Sequence, residues 1–158
     1  LLRAASGDAL LLFDPEAAPA AGAVQEMLAW IDTPGVGVVT ATLVDGDARR
    51  AGLSPTPAGG WTAEPPAGRG YGRVGPTVSP HFLAVGRAGL VEAGVLDAAF
   101  LGAPLLELTL RLRRRGRRTV SLATAEAHGP AGWLARPEPP LPLLLQVAFE
   151  RELSDLRP

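Results

Sequence analysis

The chain has 158 residues, of which 47% are hydrophobic and 20% charged, with a formal net charge of -1. That length supports one domain with a real core, and the composition excludes a disordered chain. The near-neutral balance gives no overall pull on nucleic acid or an anionic membrane, so neither is expected as a partner.

In chain order, Leu1 to Gly7 is not a signal peptide, because a polar turn precedes the first apolar run. The absent initiator methionine leads us to expect a fragment, an excised domain or an unusual start. Ala9 to Phe13 is a short continuous apolar run between Gly7-Asp8 and Asp14-Pro15, the pattern of a strand covered on both faces in a parallel sheet. Pro19 opens a segment with Val24, Met27, Leu28 and Ile31 at helical spacing, closed by Asp32-Thr33-Pro34-Gly35. Val36 to Val44 is β-branched and predicts a second strand. Asp45 to Gly75 reads as one Gly/Pro-rich loop carrying Trp61 and Tyr71. Phe82 to Val85 predicts a strand, followed by a helical turn through Val91 that stops at Ala93-Gly94.

The segment from Pro104 to Gly116 carries two conflicting patterns. Its leucines alternate with polar residues from Leu106 to Arg113, as in a strand. A proline at the start, arginines in the last turn and a glycine after it are helix punctuation, and we predict a helix. Leu105, Leu108 and Leu112 would then face the core. Thr119 to Ala123 predicts a last strand. The domain is expected to run over 1–135, with 136–158 a proline-rich break and a C-terminal helix. The greasiest stretch, Leu141 to Phe149, is too short and too interrupted to cross a membrane. The order of elements predicts an α/β domain with a mixed sheet. Without cysteine there is no basis for disulfides or thiolate metal sites, and a cytoplasmic setting, extending to the inner face of the membrane, is the expectation.

Chemistry first suggests itself at Asp14-Pro15-Glu16. Two carboxylates at the end of a buried strand can share the crevice where α/β sheets bind ligands, and hard oxygen donors suit Mg²⁺ or Mn²⁺. An acidic strand-to-helix turn is the plainer alternative. All 15 basic residues are arginine, so clusters such as Arg111 to Arg118 arise readily; that run reads better as a solvated helix end than as a phosphate site. Trp61, Tyr71 and Trp133 are sugar-stacking candidates that equally suit a core edge. His81 reads as structural.

Taken together, short segments in order resemble family-2 glycosyltransferases. Ser6 to Glu16 is similar to the strand leading into their D-x-D motif, with Asp-Pro-Glu here, and Pro34 to Asp45 to their next strand. Arg73 to Arg87 resembles the segment ending in Arg-Arg. Val91 to Phe100 resembles the stretch "evGGlDe.F", Leu108 to Gly116 the helix "DLclRLrerG", and Glu126-Ala127-His128 the closing E-x-H. The resemblance implies a partial GT-A fold whose N-terminal nucleotide-binding half is missing. It also implies a nucleotide-sugar donor, a glycan or lipid acceptor, Mg²⁺ or Mn²⁺, and inverting displacement. Asp14, Glu16 and His128 would be the metal ligands and Asp97 would contact substrate, with Trp61, as a loop aromatic, a second substrate-contact candidate. The family's acidic pair falls on Pro104 and Leu105, which carry no proton-accepting group, leaving Glu107 as the one candidate base. Sugar transfer by the chain alone is therefore expected to be impaired. Two rivals stay open: a non-catalytic remnant acting with a partner, and an α/β interaction module whose Arg111 to Arg118 run meets an acidic partner.

Overall fold

A computed structural model describes residues 6–56, 61–66, 73–74, 81–94 and 104–135. They form β1 (Ala9–Phe13), β2 (Ala18–Pro19), α1 (Ala23–Ile31), β3 (Val36–Asp45), β4 (Ala48–Arg50), β5 (Gly52–Pro55), β6 (Trp61–Glu64), β7 (Arg73–Val74), β8 (Phe82–Gly86), α2 (Arg87–Ala93), α3 (Pro104–Arg114) and β9 (Arg118–His128), with a 3-10 turn at Trp133–Ala135. The domain boundary expected near 135 and the helix after it lie outside the described residues.

Among the described residues, seven strands make one mixed sheet in the order β1-β8-β3-β9-β2, with β4 beside β3 and β7 beside β9. β1 runs antiparallel to β8, β8 antiparallel to β3, and β3 parallel to β9. The carboxyl ends of β1, β3 and β9 therefore share one edge. β3 is buried throughout except at Asp45, as its β-branched sequence requires of a central strand. Beyond the irregularity between Val36 and Val38, its two faces divide. Val39, Ala41 and Leu43 join Met27 and Ile31 of α1 in one core cluster. The alternate residues include Thr40 and Thr42, whose buried hydroxyls are satisfied by Ser121 Oγ and Leu122 O, each at 2.8 Å.

α3 is a helix, with Leu108, Leu110 and Leu112 buried and Leu105 half-buried. Tertiary packing defeats the period-two pattern: the stripe at 108 and 112 faces inward, and the buried Thr109 hydroxyl returns to Leu105 O at 2.7 Å. Gly116, at φ 75, ends the element in the left-handed region that favours glycine. Three expectations need correction. β1 lies at the edge of an antiparallel pair, with Phe13 57% exposed; five apolar residues alone cannot distinguish an edge strand from a central one. Pro19 sits in β2 rather than opening the helix, which begins after Gly22 at φ 82. The expected loop from Asp45 holds β4, β5, β6 and β7, because Gly46 (φ 57) makes a two-residue hairpin turn and β5 pairs with β6 as a separate two-stranded sheet.

A surface pair ties α2 to the turn before β9. Hydrogen bonding from Arg117 holds the Glu92 carboxyl below its ordinary value of 4.5. A carboxylate lowered in this way adds stability above its ordinary value and loses it as pH falls toward the lowered one. In a thermal melt series between pH 6 and 3, Glu92→Gln should lose part of the acid-side decline. Because the pair is exposed, the difference should be small.

Candidate functional site at the carboxyl edge of the sheet

Asp14 follows the last residue of β1 and His81 precedes the first residue of β8. Since Phe13 pairs with Phe82, the antiparallel ladder sets these two residues against each other. The Asp14 amide donates to His81 O at 2.8 Å, and His81 Nδ1 lies 3.3 Å from Asp14 Oδ2. The other carboxylate oxygen, Oδ1, accepts the Glu16 amide at 2.9 Å. Glu16 itself is exposed. Behind this pair stands Trp133, 1% exposed, its ring meeting His81 edge-on with centroids 4.8 Å apart.

His128 ends β9 on the same edge, opposite Ala18 of β2 and beside Val44 of β3. The register explains its aim. Between Ala41 and Thr42 of β3, the partner on β9 advances from Leu122 to Glu126, so an insertion in β9 re-aims the last three residues. His128 Nε2 lies 3.6 Å from Glu126 Oε2, and Glu126 is ion-paired with Arg49 of β4. The structure thus brings Asp14, Glu16 and His128 to one edge, within a turn and a short strand of each other. Among the described residues, no three His, Asp or Glu side chains are gathered closely enough to hold an ion by themselves. What is gathered is pairs. A carboxylate beside an imidazole is a fitting fragment of a divalent-ion site completed by phosphate oxygens and water.

The other sequence candidates fare differently. Glu107 is 8% exposed and both its oxygens meet Arg111, at 2.5 and 2.7 Å. Arg111 also donates to Ala93 O, so the pair ties α3 to the end of α2. Asp97 and Tyr71 lie outside the described residues, and of Trp61 only the backbone is described, opposite Pro55. Trp133 is core rather than a stacking platform. In the arginine run, Arg117 is engaged by Glu92 and Arg118 by Pro34 O. His81 is the residue that sequence reasoning passed over; only the antiparallel pairing of β1 with β8 reveals it.

No protein-family model matches the chain, and no curated protein matches it in sequence. In structure it is similar to GalNAc-T7, solved with UDP, GalNAc and Mn²⁺, at a TM-score of 0.68 and 13% identity. The fold is of the GT-A glycosyltransferase type. The match covers 82% of this chain but 28% of that one, so the chain spans less than a third of the neighbour's length. Among the described residues, no helix of this GT-A domain is long and apolar enough to cross a membrane.

Proposed function

We propose that this chain is the metal- and acceptor-side part of a family-2-type glycosyltransferase, which passes a sugar from a nucleotide-sugar donor to a glycan or lipid acceptor. The observation that carries this reading is Asp14, placed with His81 at the carboxyl edge of a GT-A-type sheet. The structural neighbour holds UDP and Mn²⁺, which makes a divalent ion with a nucleoside diphosphate the natural ligand to test here.

Asp14 and Glu16 supply hard oxygen donors, and His128 is the imidazole that the resemblance implies. When bound, Mg²⁺ or Mn²⁺ would offset negative charge on the departing diphosphate. The protein's own part is to hold those donors rigidly and to bring the acceptor hydroxyl to the anomeric carbon. For inversion, a base must take the hydroxyl proton as the new C–O bond forms and the bond to the diphosphate breaks. Glu107 is poorly disposed for that task, because one guanidinium engages both its oxygens. We therefore expect donor binding to outlast catalysis.

The test is calorimetric titration of UDP into the purified chain with Mn²⁺ and with chelator, followed by product analysis on a panel of nucleotide sugars. Binding should require the metal, and turnover should be slow. Glu107→Gln should leave UDP binding unchanged; robust turnover abolished by that change would make Glu107 the base after all. Salt-sensitive, metal-independent binding to a polyanion would replace the reading with the interaction module.

A further inference from the structure

Adjacent donors of an octahedral ion, each about 2.0–2.2 Å from the metal, stand roughly 3 Å apart. The Asp14 Oδ2 to His81 Nδ1 separation of 3.3 Å is close to that edge length. We infer that His81, rather than His128, is the imidazole ligand of the divalent ion, binding with Asp14 as a two-residue protein clamp that phosphate oxygens and water complete. This rests on the metal-dependent reading proposed above.

The two histidines differ in the ways that decide ligation. His81 is locked twice, through its carbonyl to the Asp14 amide and through its ring against the buried Trp133. Its side chain is 18% exposed, so its ring is already oriented and little rotamer freedom remains to be lost on binding. His128 is 51% exposed, and its carboxylate neighbour is Glu126 at 3.6 Å. Glu126 already carries the Arg49 guanidinium. A divalent ion shared by Glu126 and His128 would sit against that cation, and the like-charge contact opposes it. At the other pair, Asp14 presents a carboxylate whose second oxygen is fixed by the Glu16 amide. An ion there also lies one residue beyond β1, at the carboxyl edge where this fold class admits ligands.

The chain contains just two histidines, so a nitrogen seen on the metal can be assigned by elimination. The experiment is pulsed electron paramagnetic resonance on Mn²⁺ bound to the full chain, with and without UDP, reading the ¹⁴N coupling of a directly bound imidazole. The wild type and His128→Gln should both show the coupling. His81→Gln should lose it and bind Mn²⁺ more weakly by at least the roughly 10- to 100-fold that loss of a mere supporting residue costs. The His128→Gln arm decides the question even if His81→Gln folds badly, because a coupling retained there can come from His81 alone. Loss of the coupling in His128→Gln overturns the inference and assigns His128, leaving metal dependence intact. Mn²⁺ bound without any ¹⁴N coupling overturns it in favour of an all-oxygen site. Failure of the wild type to bind Mn²⁺ with UDP present removes both this inference and the metal reading.

Discussion

Replacing Trp133 by alanine should cost about 3–5 kcal/mol of folding stability, the range for a large aromatic removed from a packed interior. Trp133 is among the largest fully buried side chains and belongs to the α1-side core cluster although it lies in the turn after β9. Its seat is cut to fit. A Cβ on Gly129 would stand 1.8 Å from the indole Cε3, so glycine is what lets the chain pass over the ring. The turn around it is fastened by the Asp45 carboxylate, which accepts the Gly132 and Leu134 amides at 3.1 and 3.0 Å. The buried indole N–H has no hydrogen-bond partner among the described residues. Trp133→Phe should therefore lose much less than alanine, because the smaller apolar area is offset by removal of an unsatisfied donor. Gly129→Ala should fall between them, at about 1–3 kcal/mol for overpacking. Urea unfolding of the three variants measures the order directly. An alanine penalty below about 1 kcal/mol would mean that the turn is not part of the cooperative core. With total stabilities of about 5–15 kcal/mol typical of domains, the alanine variant removes a large fraction of the margin.

The elements that could be read from the sequence are those whose burial repeats at a regular period. α1 shows it at Met27 and Ile31, and β3 shows it as a β-branched run that the sheet buries on both sides. α3 carried two periods at once, and its proline start and glycine stop were better guides than leucine alternation. β4 to β7 escaped because two- to four-residue strands set among Gly and Pro are too short to show a period of their own. The hairpin turn at Asp45-Gly46-Asp47 was the available signal, with Gly46 in the left-handed region and Asp45 opposite Ala48.

The candidate site was half legible for a related reason. Asp14 and Glu16 announce themselves because two carboxylates after an apolar run are rare enough to notice. His81 does not, since a lone histidine before a strand has no local signature. Its relation to Asp14 exists only once β1 is paired antiparallel with β8, a contact 67 residues long in sequence. Reading β1 as a parallel strand removed that partner from view. Glu107 shows the converse. It was found through the family resemblance, beside the positions of the acidic pair, and only the Arg111 contact reveals that its carboxylate is engaged inside the α2–α3 layer.

Asp14→Asn should weaken Mn²⁺-dependent UDP binding by at least roughly 100-fold while leaving the fold nearly unchanged. The stability half follows from geometry. The asparagine oxygen can still accept the Glu16 amide, and the backbone bond from residue 14 to His81 O is untouched. What is lost is the carboxylate's contact with His81, a partly exposed pair, so the change should cost up to about 1 kcal/mol. The binding half follows from charge. A neutral amide is a much weaker donor to a divalent ion than a carboxylate, and even partners outside the ligand set alter metal affinity by about 10- to 100-fold. A 100-fold loss corresponds to about 2.7 kcal/mol. Glu16→Gln should cost less, because Glu16 is exposed and a divalent ion needs only one or two carboxylates when phosphate oxygens share the coordination. Calorimetry of UDP into each variant at saturating Mn²⁺, with melting temperatures in parallel, separates the two effects. Unchanged affinity in Asp14→Asn would remove the metal from Asp14 and with it the clamp formed with His81. Equal large losses in both variants would instead make Glu16 a direct ligand, swung in from its exposed position once the ion arrives.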